Sequence, residues 1–434
     1  MLTPQPASRP RQRGRIAVAL AGGGPLGAFY EIGALQALAE GIDGLDLCDL
    51  YAYVGVSSGA MLAAGLANDL TPVDIGRIVI TNDAGHEAAE PSLFLRPAFR
   101  EYGRRVAGAP RRLLTGLGRL ALWPLSGSLA EVLEPLTGTL PAGIFDNGPF
   151  ERYLSRLFTS GGRSNDFRRL RHRLVIVAAD LNTGAERLFG ATADERVPIS
   201  QAVQASTALP GLYTPVTIDG HAYVDGALLR TMHASVVLEA GADLVFCINP
   251  LVSFDASAGG RQLPDLDLTR HGLPVVLGQT FRSLIQSRML VGVAAYRRRF
   301  PHADILLFEP DRGDRRMFFA TVFRYTDRRR LVDHAYQCTR RDLLRSAPTL
   351  APVLARHGLR LRRDVLADPQ RSFHAALERQ RRANRRVAQT LAATLDRLEA
   401  QLASSAAGRR GSLQLSRTDP AARWSGRGPA RSRR

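Results

Sequence analysis

Residues 51–60 read YAYVGVSSGA, and the segment Gly55-Val56-Ser57-Ser58-Gly59 within them fits the pattern G-x-S-x-G. The apolar residues before it predict a strand, and the Ala- and Leu-rich residues 62–70 after it predict a helix. In this pattern a serine sits on a tight strand-to-helix turn, where small residues on either side let the backbone fold sharply enough to expose the hydroxyl. Ser57 is therefore a candidate nucleophile, although five-residue patterns also arise in ordinary turns.

A second motif lies one strand earlier in the chain. The apolar residues 16–20 predict a strand, and Gly22-Gly23-Gly24-Pro25-Leu26-Gly27 follow it before a helical pattern over residues 28–40. Glycines at the start of a helix present successive backbone N–H groups to a negative charge. The loop therefore predicts donors for an oxyanion close to a serine nucleophile.

The same six residues also satisfy G-x-G-x-x-G, the dinucleotide-binding pattern. Asp43, Asp46 and Asp49 lie about twenty residues further on, where an acid that binds a ribose is expected. A nucleotide site stays open from this loop alone, and it is disfavoured because the next strand ends in the serine turn. A P-loop is excluded, since it requires a lysine and the chain contains none.

Composition indicates a globular protein with an uneven charge distribution. The chain has 434 residues, 45% of them hydrophobic, which is enough for one large core or two smaller ones. The net charge of +18 comes entirely from arginine, and residues 356–434 hold 19 Arg against 6 acidic residues. The remainder is nearly neutral. A solvated basic end is the simplest interpretation, nucleic acid is an unlikely partner, and the oligomeric state is left open.

Cysteine spacing and hydropathy predict neither a disulfide framework nor a metal site. Cys48, Cys247 and Cys338 are far apart and have no C-x-x-C spacing. The apolar stretch 16–21 after the N-terminal arginines is too short for a signal peptide and is broken by the glycine loop. No apolar run reaches the roughly twenty residues that span a bilayer. We therefore expect a cytoplasmic or peripherally membrane-associated protein.

The pattern of elements predicts an α/β domain with basic appendages. Strands alternate with helices through residues 15–310, which implies a mostly parallel sheet covered on both faces. We expect a disordered basic arm over 1–14, a helical lid-like insertion at about 84–145, a helical Arg-rich extension over 311–405 and a disordered basic tail over 406–434.

The insertion contains a basic amphipathic segment, residues 91–125, with seven arginines and one acid among leucines and aromatics. Such a segment can lie on an anionic membrane surface, and the basic C-terminus could do the same. A basic helix face that is solvated while its apolar face packs on the core is an equally good interpretation.

A third motif supplies a carboxylate. An Asp-Gly turn at Asp219-Gly220 predicts a hairpin that delivers Asp225-Gly226-Ala227 at its end. None of the nine histidines lies in a recognisable catalytic setting. His221 and His233 flank Asp225 and stay candidates for a general base.

Together these blocks resemble the patatin-like phospholipases, bacterial patatin-like serine acyl hydrolases included. The resemblance is carried by Gly22 to Gly27, by Gly55 to Gly59, by Asp225-Gly226-Ala227, and by two further runs, Phe145 to Phe150 and Ala205 to Pro215. It covers about residues 15–310 and is specific because separate motifs agree in order.

The resemblance implies a three-layer α/β/α patatin-like sandwich, here with a helical C-terminal extension. It makes Ser57 the nucleophile, Asp225 its partner in a dyad, and the Gly22, Gly23 and Gly24 amides the oxyanion hole. Four further glycines support the motifs: Gly27, Gly55, Gly59 and Gly226. It implies fatty acyl esters of phospholipids or related lipids as substrates, and no metal or organic cofactor.

One position departs from the family pattern. Leu26 stands where the family usually carries Lys or Arg, so a positive charge near the oxyanion site is missing from the motif. Another arginine could replace it from outside the motif, or turnover could be slow. A catalytically weak lipid-binding or membrane-docking protein that retains the pocket is therefore the alternative function.

Overall fold

One mixed sheet of eight strands organises the fold. The computed structural model describes residues 14–80, 93, 95–99, 101–103, 141–257, 267–320 and 325–414. The strands in this part of the chain are β1 (Ile16–Leu20), β2 (Ile42–Asp43), β3 (Ala52–Val56), β4 (Gly143–Phe145), β5 (Arg173–Asp180), β6 (Glu186–Phe189), β7 (Gly211–Tyr213), β8 (Val216–Ile218), β9 (His221–Asp225), β10 (Leu244–Ile248), β11 (Asp304–Phe308) and β12 (Arg360–Leu361).

Helices precede, separate and follow these strands. In the same described part they are α1 (Gly24–Gly41), α2 (Ser58–Ala67), α3 (Pro72–Ile80), α4 (Gly148–Thr159), α5 (Ile199–Ser206), α6 (Ala234–Glu239), α7 (Leu273–Arg299), α8 (Arg315–Phe318), α9 (Tyr325–Arg345), α10 (Ala347–Arg356), α11 (Arg363–Ala367) and α12 (Phe373–Gln414).

The sheet is parallel on one side and antiparallel on the other. The strands β11, β10, β1, β3 and β5 are neighbours in that order and run parallel. β9 and β6 both pair antiparallel with β5, and β8 pairs antiparallel with β9. The prediction of a mostly parallel sheet is therefore confirmed, and so is the Asp-Gly hairpin that joins β8 to β9.

Two strands meet end to end along one edge of β5. Residues 173–177 of β5 pair with β3, and residues 178–180 pair with β9. β3 and β9 run in opposite directions along that edge, so their carboxyl ends arrive at the same point of the sheet. This geometry brings the residues that follow the two strands together.

Helices cover both faces of the sheet, as a buried parallel sheet requires. On one face, alternate strand residues such as Val54 and Val245 pack with Val237 of α6 and with Met289 and Val293 of α7. The intervening residues are buried as well, and α1 and α2 lie over the other face. The arrangement is the α/β sandwich with a helical C-terminal region that the sequence predicted.

The C-terminal helices belong to two different units. Residues up to Ala376 form one compact unit, in which α9 packs so closely on α1 that a Cβ on Gly33 would lie 2.8 Å from the Cβ of Ala335. Residues 377–434 form a second unit, of which the described part is the remainder of α12. Its stripe of apolar side chains is exposed: Val387, Leu391, Leu395 and Leu398.

Two predicted boundaries differ from the structure. α12 continues to Gln414, past residue 405, because residues 406–410 include alanines and arginines, which favour a helix, and the next proline is Pro420. The end of the predicted insertion joins the domain, since β4 pairs with β7 in a small parallel sheet. Most of residues 91–125 and of the predicted tail lie outside the described residues.

None of the described helices combines the length and the hydropathy that crossing a bilayer requires.

Candidate active site

Ser57 sits at the sharp turn between β3 and α2. Its backbone has φ 53° and ψ −122°, a conformation that costs a residue with a side chain on the order of 1–3 kcal/mol. The two motif glycines explain how the turn packs. A Cβ on Gly59 would lie 2.6 Å from the Leu20 carbonyl, and a Cβ on Gly55 would lie 2.6 Å from Cα of Ala60. The G-x-S-x-G pattern is therefore a steric requirement here.

Asp225 accepts a hydrogen bond from the Ser57 hydroxyl. The Ser57 Oγ donates to Asp225 Oδ2 at 2.6 Å, although the two residues are 168 positions apart. Both side chains are buried, and the other carboxylate oxygen accepts the Ala227 N–H at 2.9 Å. Burial raises the pKa of Asp225 to about 6, while the hydrogen bonds from Ser57 and Ala227 act in the opposite direction.

Gly226 fixes the turn after Asp225. A Cβ there would lie 2.6 Å from the Val177 carbonyl oxygen of β5, so the turn can approach the sheet only with glycine at this position. The 3₁₀ turn Gly226–Leu228 follows directly, capped by the Asp225 side chain. The sequence motif Asp-Gly-Ala thus holds the carboxylate against β5.

The glycine loop lies beside the dyad. A Cβ on Gly22 would lie 3.0 Å from the Cβ of Ser57 and 2.8 Å from that of Ala227. Gly27 packs against Pro250, and a Cβ there would lie 3.3 Å from the Ser58 hydroxyl. The loop predicted from sequence is therefore adjacent to the predicted nucleophile.

The three loop amides are not equivalent. The Gly22 N–H donates to the Thr231 carbonyl at 3.2 Å, so it is already engaged. For the N–H groups of Gly23 and Gly24, the described part of the chain offers no hydrogen-bond acceptor. Gly24 begins the 18-residue helix α1, whose N-terminus adds a partial positive charge. Two of the three predicted donors are thus free to bind an anion.

Neither candidate histidine is paired with the dyad. The His221 Nδ1 lies 2.9 Å from Asp180 Oδ2, and its side chain is 58% exposed. His233 is buried, with its Nε2 3.3 Å from Glu186 Oε2. Among the described residues, no histidine forms a hydrogen bond with Ser57 or Asp225.

The acidic residues that the dinucleotide interpretation requires lie at the opposite end of the parallel strands from the glycine loop. The glycine loop follows the carboxyl end of β1, whereas Asp49 precedes the amino end of the parallel strand β3. Two of the acids also have basic partners, since Asp43 pairs with Arg360 and Asp49 with Arg171. The structure therefore does not assemble the ribose-binding acid that a dinucleotide site needs.

A cleft beside the loop contains the charge that Leu26 does not supply. Gly23, Leu26 and Gly27 line it together with Arg282 and Arg312. The Arg312 guanidinium donates to the Ser253 hydroxyl at 3.0 Å, while Arg282 stacks over the Phe318 ring at 4.7 Å. Two arginines from outside the motif thus reach the surroundings of the glycine loop.

Two buried residues near the dyad were missed in the sequence. Ser206 accepts the Ser57 N–H at 2.8 Å and donates to the Val177 carbonyl at 2.6 Å, so it links the serine turn to β5. Glu31 of α1 is fully buried, with one carboxylate oxygen 3.5 Å from the Ser58 hydroxyl. Burial raises the pKa of Glu31 well above its usual value. The sequence signal for Glu31 was an acidic residue within the apolar face of the predicted helix over residues 28–40.

One cluster in the described part of the chain has the composition of a metal site. Asp314, His334 and Cys338 place one ligand atom each within 4.8 Å of one another. The three groups already satisfy each other in part, since His334 Nε2 lies 2.6 Å from Asp314 Oδ2. Arg341 donates to the Cys338 sulfur at 3.0 Å, and such a cation disfavours a metal ion. The absence of a metal stays a prediction.

The sheet and the serine turn together define a class of protein. A serine on a strained turn after a central parallel strand, with a glycine loop beside it, is the arrangement of α/β-type serine hydrolases. A family model described as patatin-like phospholipase matches residues 18–238, half of the chain. The chain belongs to the patatin-like phospholipase family.

Similar solved structures include VipD and the type III effector protein ExoU. VipD from Legionella pneumophila is 18% identical with a TM-score of 0.32, and the match covers 57% of this chain and 51% of that one. ExoU from Pseudomonas aeruginosa, solved full length in complex with full-length SpcU, is 21% identical with a TM-score of 0.25, covering 46% and 39%. A structure of the type III effector protein ExoU is 17% identical with a TM-score of 0.30, and the match covers 76% of this chain and 52% of that one. The chain thus spans about half the length, or less, of these proteins.

Proposed function

We propose that the chain is a serine acyl hydrolase that cleaves fatty acyl esters of phospholipids or related lipids through a Ser57–Asp225 dyad. The observation that carries the proposal is the 2.6 Å hydrogen bond from the Ser57 hydroxyl to a buried carboxylate. Membership in the patatin-like phospholipase family supports the choice of a lipid substrate.

Asp225 acts as the general base. Its pKa of about 6 leaves it ionised at neutral pH and yet basic enough to take the Ser57 proton as the hydroxyl attacks. The bond from Ser57 Oγ to the ester carbonyl carbon forms while the proton moves to Asp225 Oδ2. The carbonyl oxygen becomes an oxyanion in the same step.

The Gly23 and Gly24 amides stabilise that oxyanion. Preorganised N–H donors at a helix start lower the barrier because they are aimed at charge before the charge develops. Gly22 contributes by leaving room, since a side chain there would crowd Ser57.

Protonated Asp225 then returns the proton to the leaving alcohol oxygen, and the ester C–O bond breaks to leave an acyl-Ser57 intermediate. A water molecule attacks the acyl carbon, Asp225 takes its proton, and Ser57 recovers a proton as the fatty acid departs. An alkoxide leaves more easily than an amide nitrogen and needs a weaker acid. A lone carboxylate therefore suits esters better than amides.

Labelling with a fluorophosphonate tests the dyad. We expect the parent chain to be labelled, Ser57→Ala to give no label, and Asp225→Asn to label much more slowly. Equal labelling of the parent and of Asp225→Asn, or no labelling of either, would contradict the proposal.

The alternative function, a lipid-binding protein with little turnover, was suggested by Leu26. Arg282 and Arg312 line the same cleft as Leu26, so the missing charge at Leu26 is a weaker reason to expect little turnover. Measured release of fatty acid from phospholipid vesicles separates the two functions, because the alternative predicts the same low rate for the parent and for Ser57→Ala.

A further inference from the structure

One long helix of the domain is apolar on two opposite faces. Four side chains hold α7 to the core: the half-buried Gln279 and the buried Gln286 make hydrogen bonds to residues 254 and 253, and Met289 and Val293 pack in the core. A helix anchored in this way normally presents polar residues to water on its far side.

The far side of α7 carries large apolar side chains instead. At the spacing that keeps residues on one helix face, it presents Leu273, Leu277, Phe281, Leu284 and Val291, which are 46–68% exposed. An exposed stripe of this size on a soluble domain marks a surface that another apolar body covers.

The charge of α7 indicates which kind of partner covers this surface. Residues 273–299 contain five arginines and neither Asp nor Glu. Arg288 lies within the apolar stripe, and Arg297, Arg298 and Arg299 form the last turn. Acid-free basic helices with an apolar face are attracted to anionic lipid head groups and insert their apolar side chains just below them.

The stripe contacts the turn that follows Asp225. The Arg288 guanidinium donates to the Leu228 carbonyl at 3.2 Å, and Leu228 lies at the end of the turn that starts with Asp225. Leu228 is itself exposed, as are Leu209, just before β7, and Leu212 within β7. Arg282, on the anchored side of α7, lines the cleft beside the glycine loop.

We propose that the exposed face of α7 is the surface by which this chain docks on an anionic phospholipid bilayer, with the dyad facing the lipid. The inference rests on the proposed function, because docking there would bring acyl esters to Ser57. It assigns membrane contact to residues 273–291, a region separate from the segments that the sequence singled out.

The matched test compares two exposed apolar pairs of the full chain. Phe281→Ser/Leu284→Ser removes two of the five apolar side chains of the α7 stripe, and Val387→Ser/Leu391→Ser removes side chains of similar exposure from α12, whose described part carries acidic residues as well. Cosedimentation with vesicles of phosphatidylcholine and phosphatidylserine measures docking without any turnover.

We expect the parent and the α12 variant to sediment with these vesicles, and the α7 variant to partition at least roughly tenfold less. Pure phosphatidylcholine, or raising salt from about 0.1 M to about 0.5 M, should weaken binding of the parent. Equal partitioning of the α7 variant and the parent, a loss confined to the α12 variant, or no binding by the parent would overturn the proposal.

Two further measurements distinguish lipid docking from dimerisation through α7 and from the proposed hydrolase function. Light scattering identifies a second copy as the occupant if the parent is a dimer and the α7 variant a monomer with unchanged vesicle binding, and that result would overturn lipid docking. Hydrolysis of a soluble short-chain ester should be equal in the α7 variant and the parent. A parent that docks through α7 but hydrolyses no ester would overturn the proposed function and leave the docking surface standing.

Discussion

Val177 and Ala178 are consecutive residues of β5, and they pair with Val56 and with Asp225 respectively. The residue before the candidate nucleophile and the candidate base are thus held by one strand, at neighbouring positions. A short hydrogen bond between Ser57 and Asp225 needs no flexible loop to bring them together. The spacing of the dyad is set by the pairing register of a buried strand.

Removing the carboxylate charge should abolish most of the turnover. We expect Asp225→Asn to lower kcat by roughly 10²–10⁴, because the amide cannot take the Ser57 proton. Asp180→Asn is the matched control, since Asp180 is also a buried acid at the end of a strand but bonds to His221. Initial rates on a soluble ester measure both. Similar losses in the two variants would speak against the dyad.

The rate should depend on pH with an acidic limb near pH 6. Asp225 is protonated below its pKa of about 6 and cannot act as a base there, so kcat/KM rises with pH through this value. The limb should persist in His221→Asn, which removes an exposed histidine near the turn. A limb that disappears in this variant would assign the titration to the histidine.

The raised pKa of Asp225 should also make folding stability depend on pH, with stability falling as the pH rises while activity increases. The pKa of Asp225 is raised from 3.8 to about 6 in the folded chain, so folding favours the protonated form. That contribution is complete below pH 3.8 and is lost as pH rises through about 6. Chemical denaturation should therefore show Asp225→Asn gaining on the parent by roughly 3 kcal/mol between about pH 4 and about pH 7. A difference that does not vary with pH would contradict the raised pKa.

Ser206 should matter for the position of the nucleophile. Ser206→Ala removes the acceptor of the buried Ser57 N–H and one donor to the Val177 carbonyl, at a cost of about 1–3 kcal/mol. We expect a lower melting temperature and a fall in kcat with little change in KM. Ser257→Ala, at an exposed serine bonded to Asp255, is the control and should change neither quantity.

Gly59 should not tolerate a methyl group. Gly59→Ala places a Cβ 2.6 Å from the Leu20 carbonyl, which the backbone must move to relieve, so we expect destabilisation by about 1–3 kcal/mol or more. Gly292→Ala meets open space in the interior of α7 and should be neutral or stabilise the fold by about 0.5–1 kcal/mol. Thermal unfolding of the two variants checks the contrast. Equal melting temperatures would refute the steric account of the motif.

The sequence predicted the parts of the molecule that are local. The strand-loop-helix segments around Gly22 and Ser57 and the hairpin before Asp225 follow from hydrophobic runs and turn residues, and the structure confirms them. The dyad itself came from the family resemblance, since no spacing rule places residue 225 beside residue 57.

What the sequence missed depends on pairing at a distance. The contact of Ser206 with the serine turn and the engagement of the Gly22 amide by Thr231 depend on how separate elements align. Arg282 could not be placed beside Leu26 before α7 was positioned on the sheet. The exposed stripe of α7 was hidden for a different reason: apolar residues on both faces give no amphipathic pattern.

The missing side chain at Gly22 offers a way to watch the reaction stall. One methyl group there would press on the Cβ atoms of Ser57 and Ala227, yet it would leave the Ser57–Asp225 hydrogen bond chemically intact. We expect a Gly22→Ala chain to bind the proposed ester substrate while the methyl group displaces Ser57, the proposed nucleophile, from its attacking position. Crystals grown from it could capture the uncleaved ester in place.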